Sequence, residues 1–169
     1  MASSHASLLL QKQLKYLNET PVEGFSAGLT QENNIFEWTV TIMGPLDTLY
    51  DGGIFNATMS FPFDYPFSPP TLKFTSEIWH PNIYPDGTVC ISILHPPGDD
   101  PSGYELATER WSPVHSVETI ALSIISLLCS PNVDSPANLD AAIQWRKHRD
   151  EFKKKVQRCV EKSLLANGI

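Results

Sequence analysis

Cysteine is scarce in this chain of 169 residues: three are present, Cys90, Cys129 and Cys159, with no Cys-x-x-Cys pair among them. An odd, widely spaced set builds neither a disulfide framework nor a zinc ligand group, and it suits a reducing compartment. No metal and no cofactor are expected. Long apolar runs are missing too. No stretch reaches the about 20 apolar residues that a membrane-spanning helix needs, and the N-terminal segment lacks the basic-then-apolar layout of a signal peptide. The chain is therefore expected in the cytoplasm, with the nucleus as a second compartment, and off the membrane. Positive charge is also in short supply. Twelve Lys and Arg against 19 Asp and Glu give a formal net charge of -7. Phosphate recognition normally leaves a basic face somewhere, so no nucleic-acid partner is expected. Repeats, low-complexity tracts and linkers are likewise absent, which leaves a single domain over 1–169, its core at about 5–165.

What is present reads as α+β. Leu10, Leu14 and Leu17 fall on one face of a short helix over 7–17, which Pro21 and Gly24 bring to an end. Four strand-like runs follow: Phe25 to Leu29, Ile35 to Ile42, Ile54 to Phe61 and Thr71 to Thr75. Trp38, Val40 and Ile42 alternate as a half-buried strand does. The connections are short, and parallel strands need long crossovers, so the sheet should be an antiparallel meander. Pro62, Pro66, Pro69 and Pro70 then set a stiff corner. A mostly irregular stretch over 78–113 precedes two C-terminal helices, over 116–128 and 139–165.

Among the thiols, Cys129 ends an apolar run and Cys159 lies on an apolar helical stripe, so both read as small buried hydrophobes. Cys90 follows a loop that runs from Pro81 through Asp86-Gly87. Composition leaves two readings open for it, a reactive loop thiol or part of a short buried strand of Val89, Ile91 and Ile93. A cysteine protease needs a base within reach of its nucleophile. His80, His95 and His115 are candidates by type, and sequence places none of them beside the sulfur. A thiol without a base suits a carrier of acyl groups.

The spacing His80-Pro81-Asn82, then Gly87, then Cys90 resembles the active-site motif of ubiquitin-conjugating enzymes (E2s). The resemblance extends to Tyr65-Pro66-Phe67-Ser68-Pro69-Pro70, Trp111-Ser112-Pro113, Ser130-Pro131-Asn132 and Ser135-Pro136-Ala137-Asn138, and it covers about residues 5–165. The connection from Cys90 to Trp111 is longer than in most of the family. Its stretch over about 95–109 looks like the acidic insert of the G-type E2s, and Val22 to Gly28 with Glu77-Ile78-Trp79 resemble the G1 branch. The implied fold is the ubiquitin-conjugating (UBC) fold: an N-terminal helix, a four-stranded antiparallel meander and C-terminal helices.

By the same resemblance, Cys90 accepts ubiquitin from an E1 activating enzyme as a thioester and passes it to lysine with an E3 ligase, building chains through lysine 48 of ubiquitin. Asn82 matches the family asparagine assigned either to oxyanion stabilisation or to holding the loop, and His80 matches a structural histidine. Ser135 stands where many E2s carry an aspartate that prepares the incoming lysine. A lysine amine with a pKa near ~10.4 is almost wholly protonated at neutral pH. Two readings follow for the insert: Asp99 and Asp100, with His95 nearby, supply the missing acidity, or they are ordinary solvated loop residues. Lys12 and Lys15 match the E1-facing helix. Phe67, Ser112 and Pro113 match the surface read by RING-type ligases. Leu122 and Ser126 match the face for donor ubiquitin, and Ser26 a non-covalent ubiquitin site on the sheet. A monomer is expected, with an insert that is mobile until a partner docks. The competing readings are an E2 for another ubiquitin-like modifier and an inactive E2-like binding partner.

Overall fold

In the computed structural model, which describes residues 4–169, the first helix is longer than its apolar stripe. Helix α1 spans His5–Glu19 because the Ser4 hydroxyl accepts the Ser7 N–H at 3.1 Å and caps its start. Strands β1 (Phe25–Leu29), β2 (Glu37–Met43), β3 (Ile54–Ser60) and β4 (Thr71–Phe74) pair antiparallel in sequence order. Strand β2 starts two residues later than the run of apolar residues suggests. The Phe36 N–H is taken by the Asn34 side chain at 3.0 Å, which turns the chain before pairing begins. At the other ends, Phe61 and Thr75 lie just outside β3 and β4, each donating its N–H to a neighbouring strand or turn.

The register stacks Trp38, Met59 and Leu72 in one cross-strand row, with Val40, Ala57 and Phe74 in the next. All six are buried. Helix α2 (Val117–Cys129) covers this face with Ile120, Ala121, Ile124 and Leu128. Each such aliphatic or aromatic side chain removed from water stabilises the fold by about 1.5–3 kcal/mol. The proline corner is fastened to the same core. Trp111 is buried and donates its indole N–H to the Pro66 carbonyl at 2.8 Å, while the Tyr65 hydroxyl donates to Gln13 on α1 at 2.8 Å.

The single C-terminal helix expected over 139–165 is two. Helix α3 (Leu139–Lys147) and helix α4 (Arg149–Ala166) meet at His148, whose φ of -136° and ψ of 57° are not helical. The apolar stripe runs through the break, so periodicity alone did not reveal it. Cys129 also departs from expectation: it is exposed at the end of α2, where the helix face that points to the core has already turned away. Cys159 is buried as expected.

Candidate active site

The segment that carries Cys90 is a small hairpin docked on the free edge of β4. Ile83 bridges Val89, and the Tyr84 N–H donates to the Thr88 carbonyl at 2.9 Å. Gly87 makes the turn with φ of 99°, a conformation that favours glycine. A Cβ there would also collide with the Phe74 carbonyl, whose own N–H donates to the Gly87 carbonyl at 2.8 Å. The Cys90 N–H then donates to the Asn82 carbonyl at 2.9 Å, so the thiol is held one bond from the motif asparagine.

His80 and Asn82 are both buried. The Asn82 N–H donates to His80 Nδ1 at 2.9 Å, which puts the ring proton on Nε2, where it donates to the Leu127 carbonyl at 2.9 Å. Burial pushes the His80 pKa down to about 4, so the ring is a neutral strut. The Asn82 side chain is engaged at both ends by one residue: Nδ2 donates to the Asn132 carbonyl at 2.6 Å, and Oδ1 accepts the Asn132 N–H at 2.9 Å. It therefore staples the Cys90 loop to the 130–138 loop. Pro81 adds to this seam, its carbonyl accepting the N–H groups of Ala137 and Asn138.

The structure does place a base beside the sulfur. His95 Nε2 lies 3.6 Å from Cys90 Sγ. On the other side of the ring, Nδ1 meets both oxygens of the Glu105 carboxylate, at 2.7 and 3.0 Å. A carboxylate there holds the proton on Nδ1, which leaves Nε2 as the acceptor for the thiol. The Cys90 thiol is pushed up by burial, a rise opposed by a hydrogen bond from the Tyr84 hydroxyl and assisted by the Glu105 charge. Cys90, His95, Glu105, Ser135, Leu122 and Ser126 all line one open cleft of about 680 Å³.

Asp99 and Asp100 do not line that cleft. Asp100 is turned into the insert itself, where its carboxylate accepts the N–H groups of Ser102, Tyr104 and Glu105 at 2.9–3.0 Å. Those bonds hold it below the usual carboxylate range. Asp99 contributes its carbonyl, which accepts from Arg110 at 3.1 Å. Physical economy explains the difference: a loop with few buried side chains satisfies its own N–H groups with its nearest carboxylate. The acidity that reaches the cleft comes from Glu105 and Glu109, with Asp134 beside Ser135. Asp134 is exposed and lies 3.7 Å from Arg146. Sequence reasoning missed Glu105, Arg110 and Tyr84, since no spacing rule marks them. The only signal was the presence of an insert. Among the described residues, no group of three or more His, Cys, Asp or Glu is arranged to hold a metal ion.

The family model described as ubiquitin-conjugating enzyme matches residues 9–160. The chain belongs to the ubiquitin-conjugating enzyme family. Ubiquitin-conjugating enzyme E2 13 of Arabidopsis thaliana is 73% identical over 161 residues, covering 95% of this chain and 97% of that one. The human E2 G2 protein is 56% identical over 155 residues, covering 92% and 94%. The solved structure of human E2 G1 superposes with a TM-score of 0.69 at 53% identity, covering 78% of this chain and all of that one. The chain has the UBC fold and is an E2, a transferase of the thioester-carrying kind.

The remaining residues expected at partner surfaces are exposed or half-buried. Phe67 is exposed on the proline corner, with Pro113 exposed and Ser112 half-buried nearby in sequence to Trp111. Lys12 and Lys15 are exposed on α1, Lys15 lying 3.9 Å from Glu19. Leu122 and Ser126 are exposed on α2, and Ser26 is exposed on β1. His115 lies against Trp111, away from the cleft.

Proposed function

We propose that Cys90 is the thioester-bearing residue and that His95, oriented by Glu105, is the proton acceptor in both half-reactions. One observation carries this: the Cys90 sulfur faces an imidazole nitrogen at 3.6 Å inside the open cleft. In charging, His95 takes the thiol proton, the Cys90 sulfur attacks the ubiquitin thioester carbonyl on E1, and the E1 thiolate leaves and recovers the proton from His95. In discharge, the lysine nitrogen attacks the Cys90 thioester while His95 takes its proton. The C–S bond then breaks and the Cys90 thiolate recovers the proton from His95. General-base assistance of this kind is worth about 10²–10⁴-fold. It supplies what Ser135 lacks relative to an aspartate, since a protonated amine is no nucleophile. The paired bonds between Asn82 and Asn132 favour the loop-holding role for Asn82 over direct oxyanion contact.

Membership of the family brings ubiquitin, an E1 and an E3 as partners. The finer reading is a monomer that uses RING-type ligases at Phe67, Ser112 and Pro113, meets E1 at Lys12 and Lys15, folds donor ubiquitin onto Leu122 and Ser126, offers Ser26 to a second ubiquitin, and builds chains through lysine 48 of ubiquitin. The supports are the exposure of those side chains, Ser112 being half-buried, and the resemblance to G-type enzymes. Its place of action is the cytoplasm, with the nucleus second. Incubation with E1, ATP and ubiquitin should give an adduct that thiol reductant removes and that Cys90→Ala never forms. A reductant-sensitive adduct on Cys90→Ala would move the carrier role to another cysteine.

A further inference from the structure

Glu105 does not hold itself in place. It is half-buried on a loop over 95–110 in which no residue is buried, so packing does not fix its carboxylate on His95. Two groups hold it instead. From behind, Asp100 Oδ2 accepts the backbone N–H of Glu105 at 3.0 Å, while the same carboxylate gathers the N–H groups of Tyr104 and Ser102. From the side, the Arg110 guanidinium is largely buried, with its Nε 3.5 Å from Glu105 Oε2 and its Nη1 donating to the Asp99 carbonyl at 3.1 Å. Arg110 Nε is buried and makes no hydrogen bond, so the guanidinium's proximity to the carboxylate is what compensates it.

We propose that Asp100 and Arg110 are positioning residues that act on the Cys90 thioester through Glu105 and His95. Neither touches the acceptor lysine. Asp100 fixes the main chain of Glu105, Arg110 fixes its carboxylate, and Glu105 fixes the tautomer and direction of the His95 ring. The acidic character of the insert is then a folding device for a base, not a reservoir of charge for the substrate. This rests on the reading of His95 as the proton acceptor.

The two ideas separate in one single-turnover experiment. The enzyme is charged with ubiquitin, the E1 is quenched, and discharge to free lysine is followed for variants that reach full charging at long times. His95→Gln should slow discharge by about 10²-fold. Arg110→Ala and Asp100→Ala should each slow it by about tenfold, the scale on which groups behind an imidazole act. Asp100→Asn keeps one oxygen, which in the place of Oδ2 still accepts the N–H groups of Glu105 and Tyr104 and gives up only the Ser102 bond, so it should discharge at close to the parental rate. Combined with His95→Gln, neither alanine should cost anything further, because the residue through which it acts is already gone. Full additivity in the double variants would overturn the proposal while leaving His95 as the base. Equal losses for Asp100→Asn and Asp100→Ala would overturn it too, by showing that the charge itself acts. A parental rate for His95→Gln would overturn both readings together.

Discussion

His80 sits with its ring closed between an amide donor and a carbonyl acceptor, which leaves no room for a second ring proton. Its pKa is about 4 in the fold and near 6.5 in the unfolded chain. The unfolded chain therefore binds this proton first as pH falls. The stability that neutral His80 provides is complete above pH 6.5, declines through the window down to about 4, and is level below it. The total is about 3 kcal/mol. Ring resonances followed by NMR should show His80 neutral down to pH 5, and a midpoint at 6 or above would contradict the buried, doubly bonded ring. At this scale the sequence was legible wherever a motif fixes a residue's neighbours. His80 as a strut, and Cys90 as the thiol in the cleft, could be named from the His-Pro-Asn spacing. Glu105 could not, because its meeting with His95 depends on ten residues of irregular backbone whose path no periodicity encodes. Cys129 was misplaced for a related reason: an apolar run ending a helix does not say which way its last side chain turns.

Helix ends show the same limit between neighbouring elements. The α3–α4 break at His148 is invisible to the apolar stripe but is written in the charges. Arg146 and Lys147 close α3, while Asp150 and Glu151 open α4, each sign matched to the helix terminus it sits on. A single helix would have placed those charges against no terminus at all. The start of α3 matters to the site, because the loop before it is stapled to Asn82 and Pro81. Asn138 caps that start, its buried side chain accepting the Ala141 N–H at 3.1 Å. Asn138→Ala should lower stability by about 1 kcal/mol, read as a fall in the thermal midpoint. An unchanged midpoint would show that the cap bond is not holding the helix. The four strands and α1 were legible to within a few residues at each end. Their alternation reflects one buried face, and burial is the term that dominates a meander of short connections.

Across the whole molecule, the core and the insert obey different physics. The core is one cluster of apolar side chains that runs from α1 through the sheet to α4. The insert is held by polar bonds and closes on itself at a neck, where the Trp111 N–H donates to the His95 carbonyl at 3.1 Å. Trp111 anchors its far side in the core. Replacing residues 96–110 by a short glycine linker should therefore leave near-ultraviolet circular dichroism intact, with Cys90 still charged to completion, only more slowly. Discharge to lysine should fall by about 10²-fold, since His95 would lose both its carboxylate and the loop that places its ring. Loss of the folded spectrum would show that the insert carries structural weight after all. The narrow neck also separates two histories. Most side chains of the loop are exposed, so selection can rewrite how fast and onto which acceptor the enzyme delivers without asking the scaffold to refold. Reactivity and foldedness become independently heritable traits of one short chain.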